Sequence, residues 1–384
     1  MPRSRSLSLI FAAFSLALGL LLAEGMLRVF AAFGGPTGHQ LRNFDPLGAK
    51  FVPHGEFGYR QKPDTDYAFS NGTVARSNSM SYRGPEVSVE KPPGTFRIVL
   101  LGGSTTRGFG VDNGFAIDDA MREILAERWP GVSFEVVNLA LGGYDAFQAY
   151  ERMRVDGVPM TPDLVILNTG INDVRNAQYE DLEIPGPDRR TLIWEAHLSQ
   201  LREHQAQGGP GPWTRLKHHV YLARFPGFVR SQMKSVERIE RMDTVAPKDD
   251  AIEYFAAQVR RTADLADSLG AALVLAKPAS ALRYMDPRSM SHRGYWIVDA
   301  ETTEDYRNRL GARLSQLAAE LAAAGRPVTY VAPELPFDLF IDDCHLNAGG
   351  NRAVAERFVE ASAPFIESVL PELERRARAA GRRG

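Results

Sequence analysis

A single cysteine, Cys344, stands among 384 residues. This excludes an intramolecular disulfide and any zinc site built on several thiolates, and it leaves the redox compartment open. An excess of either charge is also missing, with 45 Lys and Arg against 47 Asp and Glu for a formal net charge of −2. No whole-molecule field therefore draws the chain to nucleic acid. Internal repeats are absent. The Gly102–Gly110 segment lacks the Gly-Lys-Ser/Thr ending of a phosphate loop and the Gly-x-Gly-x-x-Gly spacing of a dinucleotide site, so nucleotide binding is set aside. What remains is ordinary for a globular chain, at 44% hydrophobic and 24% charged residues. The length allows one large core with extensions, or two modest domains.

The N-terminus departs from that average. Arg3 and Arg5 precede an uncharged run, Leu7–Ala23, and apolar character resumes after Glu24 through Met26, Leu27, Val29 and Phe30. A membrane span needs roughly 20 apolar residues, so the run lies between a signal-peptide core and a full span. Ala23-Glu24-Gly25 is a poor small-x-small cleavage site. An uncleaved signal anchor is the expectation, with a cleaved signal or a buried helix of the fold as the alternatives. The first two place the rest of the chain outside the cytoplasm. The early arginines favour a cytoplasmic N-terminus, although Arg28 beyond the run weakens the bias.

Residues 34–95 are rich in Gly, Pro, Asn and Ser, and turn formers such as Asn71-Gly72 separate short aromatic stretches. The pattern predicts small hairpins in an extension leading from the anchor (1–33) to the main domain (96–370). In that domain, short apolar runs at Phe96–Leu101, Phe134–Leu139, Leu164–Leu167, Ala272–Ala276 and Val328–Val331 have the length of strands. Helical periodicity lies between several of them, at Ala116–Glu127, Ala251–Leu269 and Glu304–Ala324. Continuous apolar strands alternating with helices predict an α/β fold with a parallel sheet covered on both faces. Ligands of such sheets sit at the carboxyl ends of the strands. Residues 176–249 interrupt the alternation as an insertion too long for an ordinary connection, either a surface elaboration or a lid. It holds Trp194, Trp213, Tyr221 and the pair His218 and His219. The arginine-rich end, 371–384, is expected to be a solvated basic tail.

Four segments carry polar residues just after strands: Gly102-Gly103-Ser104-Thr105, Asn138 to Gly143, Thr169-Gly170-Ile171-Asn172-Asp173 and Asp342-Asp343-Cys344-His345. Ester chemistry explains the grouping. A serine hydroxyl is a weak nucleophile until a base takes its proton, and His345 is the candidate base for Ser104. Asp342 is placed to orient that imidazole and stabilise its charged form. The backbone N–H groups of Ser104 and Gly143 and the side-chain amide of Asn172 are candidate donors to the oxyanion. Competing readings exist for each piece. Ser104 and Thr105 suit a helix cap, His345 a structural role, and Asp342, Asp343 and His345 part of a metal site that lacks further ligands nearby. Cys344 is expected to be a small buried side chain.

In order and spacing these segments resemble the blocks of the SGNH (GDSL-like) hydrolase superfamily. Ser104 matches the block-one nucleophile and Gly143 the block-two glycine. Asn172 matches the asparagine of Gly-x-Asn-Asp, and Asp342 with His345 matches the terminal Asp-x-x-His. Gly103 departs from the pattern, standing where the better-known form has aspartate. The resemblance implies a three-layer α/β/α sandwich with a five-stranded, flavodoxin-like parallel sheet, and a serine esterase without metal or cofactor. With the anchor, it points to a domain on the extracytoplasmic, periplasmic side that removes O-acetyl groups from envelope or exported carbohydrate. Trp194, Trp213, Tyr295 and Trp296 are candidates to stack on sugar rings. Acyl transfer to a glycan through the same residues, lipid ester hydrolysis and non-catalytic glycan binding are the alternatives.

Overall fold

The structure, a computed structural model, describes residues 3–34, 41, 51–69, 71–177, 216, 219–240, 248–288 and 299–381. Helix α1 (Arg3–Phe33) opens the chain, followed by strands β1 (Phe51–His54), β2 (Gly58–Gln61), β3 (Asp66–Ala68) and β4 (Val74–Arg76). The main domain continues with β5 (Thr95–Gly102), α2 (Ser104–Arg107), α3 (Ile117–Arg128), β6 (Ser133–Asn138), α4 (Ala146–Arg152), β7 (Leu164–Asn168) and α5 (Ile171–Asn176). Then come α6 (Tyr221–Glu240), α7 (Asp250–Ser268), β8 (Ala272–Ala276), α8 (Ala300–Ala323), β9 (Val328–Val331) and α9 (Ala348–Gly381).

Five strands pair in the order β6-β5-β7-β8-β9, all in parallel. Successive side chains of a strand point to opposite faces, and β5 divides accordingly. Val99 and Leu101 pack in the cluster that holds Ala146 of α4, Phe255 of α7 and Leu314 of α8. Ile98 and Leu100 pack in a second cluster with Met121 of α3 and Phe358 of α9. Helices therefore cover both faces, as the apolar strands predict, and give the α/β/α sandwich that the family resemblance implies. Burying one such aliphatic side chain is worth about 1.5–3 kcal/mol, so the doubly covered strands dominate the core.

One buried charge interrupts β5. Arg97 is fully enclosed, where an unpaired guanidinium would be prohibitive. Its Nε donates to Glu135 at 2.7 Å, and Nη1 donates to the carbonyls of Val89 and Met160 at 2.8 and 2.7 Å.

The extension forms two antiparallel hairpins, β1 with β2 and β3 with β4. Asn71-Gly72 lies in the second turn, where the Gly72 N–H donates to the carbonyl of Phe69. Both hairpins pack onto the main domain. Phe57 and Tyr59 share a cluster with Leu141 and Tyr144, and Tyr67 and Phe69 pack against Phe109. The region reads in sequence as a connection, and its docking rests on contacts that no local pattern reveals.

Helix α1 is long and apolar enough over Ile10–Phe33 to cross a membrane. Phe11, Phe14, Leu21 and Leu22 are among its exposed large side chains. Its last turns meet α6, the described helix of the insertion. Glu24 accepts from the N–H groups of Tyr221 at 3.1 Å and Leu222 at 2.8 Å, at the N-terminus of α6. Arg28 pairs with Glu24 and donates to the carbonyl of His219 at 2.9 Å. Trp194, Trp213, His218, Tyr295 and Trp296 lie outside the described residues. Up to Gly381, the segment expected as a tail forms the last turns of α9.

Candidate active site

The carboxyl ends of β5, β6 and β7 carry three of the polar segments to one edge of the sheet, and the turn before α9 brings the fourth. Ser104 begins α2 directly after β5. Its hydroxyl does not cap that helix. Oγ lies 2.8 Å from Nε2 of His345, a contact that spans 241 positions of the chain.

On the far side of the ring, His345 Nδ1 lies 2.7 Å from Asp342 Oδ2. The other carboxylate oxygen, Oδ1, accepts from the backbone N–H groups of Cys344 at 3.0 Å and His345 at 2.7 Å. Burial works against the charge of Asp342, but the hydrogen bond and charge of His345 and the two backbone donors outweigh it. They hold the carboxyl far below the usual carboxylate range. The short turn thus fixes the carboxylate with its own backbone before presenting it to the ring. Phe109 closes one face of the imidazole, ring centroids 4.3 Å apart, and is itself braced by Phe69 at 4.7 Å.

Asn172 is buried at the start of α5 and donates from Nδ2 to the carbonyl of Tyr144 at 2.7 Å. Its neighbour Asp173 accepts from the Ala146 N–H at 3.1 Å and from the Thr169 hydroxyl at 3.3 Å. The two residues of the Asn-Asp pair therefore divide their work. Asp173 ties α5 to the start of α4, and Asn172 lines the same pocket as Ser104. Gly103, Ser104, Tyr144, Gly170, Asn172 and Pro278 help line a small, nearly filled pocket. Gly143 does not line it. This glycine sits one position before Tyr144 with φ of 85°, in a turn closed by the Tyr144 N–H on the carbonyl of Leu141. Only glycine adopts that backbone region without strain.

Gly103 has a steric reason. A Cβ there would lie 2.6 Å from Asn172 Nδ2 and 3.2 Å from the Tyr144 carbonyl oxygen. An aspartate at that position would displace the asparagine amide, so the departure from the more familiar pattern follows from how closely this strand end approaches α5.

The extension supports the same elements. Tyr59 donates its hydroxyl to the carbonyl of Gly142 at 2.8 Å, the Tyr144 hydroxyl donates back to the carbonyl of Tyr59, and Gln148 Nε2 reaches the carbonyl of Phe57 at 3.0 Å. Arg83, wholly buried, donates to the carbonyls of Arg107, Gly108, Val111 and Asp112 along the loop that carries Phe109. Sequence reasoning missed Phe109, Tyr144, Tyr59 and Arg83. Only the aromatic content of the extension hinted that its hairpins bury something.

Asp342, Cys344 and His345 place three ligand-type atoms within 4.8 Å of one another. Two of these residues are already engaged, Asp342 with His345 and His345 with Ser104. Cys344 is buried, and desolvation, followed by the charges of Asp343 and Asp342, pushes its thiol well above the usual range. A neutral buried thiol is a poor metal ligand and a poor nucleophile.

A hydroxyl, an imidazole and a carboxylate hydrogen-bonded in series can deliver a serine oxygen to an ester carbonyl while the ring takes its proton. The model of the GDSL-like Lipase/Acylhydrolase family matches residues 100–353. Among solved structures, the chain is similar to the acetylxylan esterase Axe2 from Geobacillus stearothermophilus at 15% identity. That alignment covers 69% of this chain and 93% of the other, with a TM-score of 0.39. It is also similar to a GDSL-like lipase from Bacteroides thetaiotaomicron at 14% identity, covering 69% and 86% of the two chains with a TM-score of 0.36. No curated protein matches the chain.

Proposed function

Because this chain belongs to the GDSL-like lipase/acylhydrolase family and is an ester-hydrolysing enzyme, we propose that Ser104 is its nucleophile, His345 its general base and Asp342 the group that orients the base. The observation that carries this reading is the unbroken series of hydrogen bonds, 2.8 Å from Ser104 to His345 and 2.7 Å from His345 to Asp342. Attack of Oγ on the ester carbonyl forms the oxygen–carbon bond as the hydroxyl proton passes to Nε2. The resulting imidazolium faces the ionised Asp342. Collapse of the tetrahedral adduct expels the alcohol, which takes the proton from Nε2, and water repeats the sequence to release the acid. The N–H groups of Ser104 and Gly143 and the amide of Asn172 are the proposed donors to the oxyanion. The bond to the Tyr144 carbonyl fixes the plane of that amide before any substrate arrives.

The proposed substrate is an O-acetyl group on envelope or exported carbohydrate. The pocket at Ser104 has almost no free volume, which favours a short acyl group over a fatty chain. In this reading α1 is an uncleaved anchor that holds the domain on the periplasmic side, and Arg3 and Arg5 keep its start in the cytoplasm. The contacts of Glu24 with α6 support retention, since cleavage after Gly25 would remove Glu24.

The test is covalent labelling of the detergent-solubilised full chain by a fluorophosphonate, together with turnover of aryl esters of increasing acyl length. Labelling and turnover should both vanish in Ser104→Ala, and acetate should be the preferred acyl group. Labelling that persists in the variant overturns the nucleophile, and a preference for long acyl chains overturns the substrate class.

A further inference from the structure

Beside the small pocket lies a larger cleft of about 240 Å³, and Pro278 lines both. It is built where β8 and β9 end, from Lys277, Pro278, Arg283 and Glu334, with Glu304 and Arg307 of α8 opposite. It therefore opens along the same edge of the sheet as Ser104.

The charges in the cleft do not balance. Arg283 pairs with Glu334 at 3.0 Å. Arg307 is 3% exposed and donates from Nη2 to the carbonyl of Pro278 at 2.6 Å, while its Nη1 has no hydrogen-bond acceptor. The nearest carboxylate oxygen, Glu304 Oε2, stands 3.9 Å away and has no hydrogen-bond donor. Both atoms are enclosed, so the two charges offset each other at long range inside the wall of the cleft. Lys277 is left over. Its Nζ lies 2.5 Å from the amide oxygen of Asn308, a neutral partner. Burial and the neighbouring Arg307 lower the pKa of its ammonium from the usual lysine value.

The fold makes room for this lysine. A Cβ on Gly311 would lie 2.6 Å from Lys277 Cδ, so a side chain at that position of α8 would dislodge the lysine stem. Glycine inside a helix costs about 1 kcal/mol relative to alanine. Here it leaves the passage along which Lys277 reaches the cleft.

We propose that this cleft binds a carboxylate carried by the alcohol half of the substrate, on a sugar residue next to the acetylated one. The inference rests on the glycan-ester reading above and narrows it to acidic glycans. One uncompensated positive charge calls for one negative charge. A carboxylate can accept from Lys277 Nζ, with the charge of Arg307 in the wall behind it. A phosphate dianion would bring a second negative charge beside Glu304, and a neutral sugar would leave Lys277 uncompensated.

The experiment compares acetate release by the full-length enzyme from acetylated oligogalacturonate and from the same oligosaccharide after reduction of its carboxyl groups. Wild-type enzyme should favour the uronate by about tenfold or more in kcat/KM, equivalent to about 1.4 kcal/mol. Lys277→Gln should bring the ratio close to one, chiefly through KM, and Gly311→Ala should do the same by displacing the lysine. Equal use of both oligosaccharides by wild type, or a preference that survives both substitutions, overturns the acidic subsite and leaves the glycan reading standing. Release from neither oligosaccharide, with aryl acetate still turned over, overturns the glycan reading and this inference with it.

Discussion

The α-carbon of Gly103 faces the side-chain amide of Asn172 so closely that a single added carbon would lie 2.6 Å from Nδ2. The residue before the proposed nucleophile and a proposed oxyanion donor therefore share one space. Gly103→Ala should push the amide out of place and lower kcat by roughly 10²–10³, with a smaller change in KM, as loss of one oxyanion donor does. Asn172→Ala should cost a similar factor, and the double variant should be little worse than either alone because both remove the same interaction. Multiplying losses in the double variant would separate the two residues.

Asp342 and Asp343 are adjacent, and it is Asp342 whose Oδ2 lies 2.7 Å from Nδ1 of the imidazole. Asp342→Asn should reduce kcat by roughly 10⁴, as expected when the ring loses its orienting charge, and Asp343→Asn should do much less. The depressed pKa of Asp342 also sets a pH dependence. A carboxylate whose folded pKa lies below its unfolded value of about 3.9 adds stability in full above that value and loses it as the pH falls toward the folded pKa. The stability gap between wild type and Asp342→Asn should therefore hold steady above about pH 5 and narrow below about pH 4. Urea unfolding across that range measures it, and a gap that widens in acid would contradict the assignment.

Arg83 lends its charge to four carbonyls of residues 107–112. Arg83→Met should destabilise the domain by roughly 3 kcal/mol or more, because buried carbonyls lose charged donors. The same change should reduce activity, since that loop seats Phe109 against His345. Chemical denaturation and aryl acetate turnover report the two effects separately. A variant of unchanged stability would show the extension to be a passive connection after all.

The five strands were legible because each is a short run in which apolar residues dominate, as expected of a parallel sheet covered on both faces. The order of the polar segments singled out Ser104, Asn172, Asp342 and His345, and the structure joins Ser104, His345 and Asp342 in one hydrogen-bonded series. Contacts between distant segments were not legible. Asn71-Gly72 announces a turn, but nothing local says that Tyr59 will reach Gly142 or Arg83 the loop after α2. Lys277 and Gly311 are unremarkable until α8 is laid against the end of β8. Gly103 stood out as a departure, and its reason emerged only with the position of Asn172.

The 241 positions between Ser104 and His345 have a consequence for synthesis. A chain made from its N-terminus carries the serine long before the histidine exists. Strand β5, which leads into the serine, finds its parallel neighbours by closing long loops, which is slow compared with local helix formation. The imidazole arrives only when the turn before α9 seats against that strand edge. Under the proposed roles of Ser104 and His345, a nascent or truncated chain carries an unactivated hydroxyl and turns over no esters. Recovery of turnover on refolding should coincide with the last docking event, making activity a reporter of completed assembly.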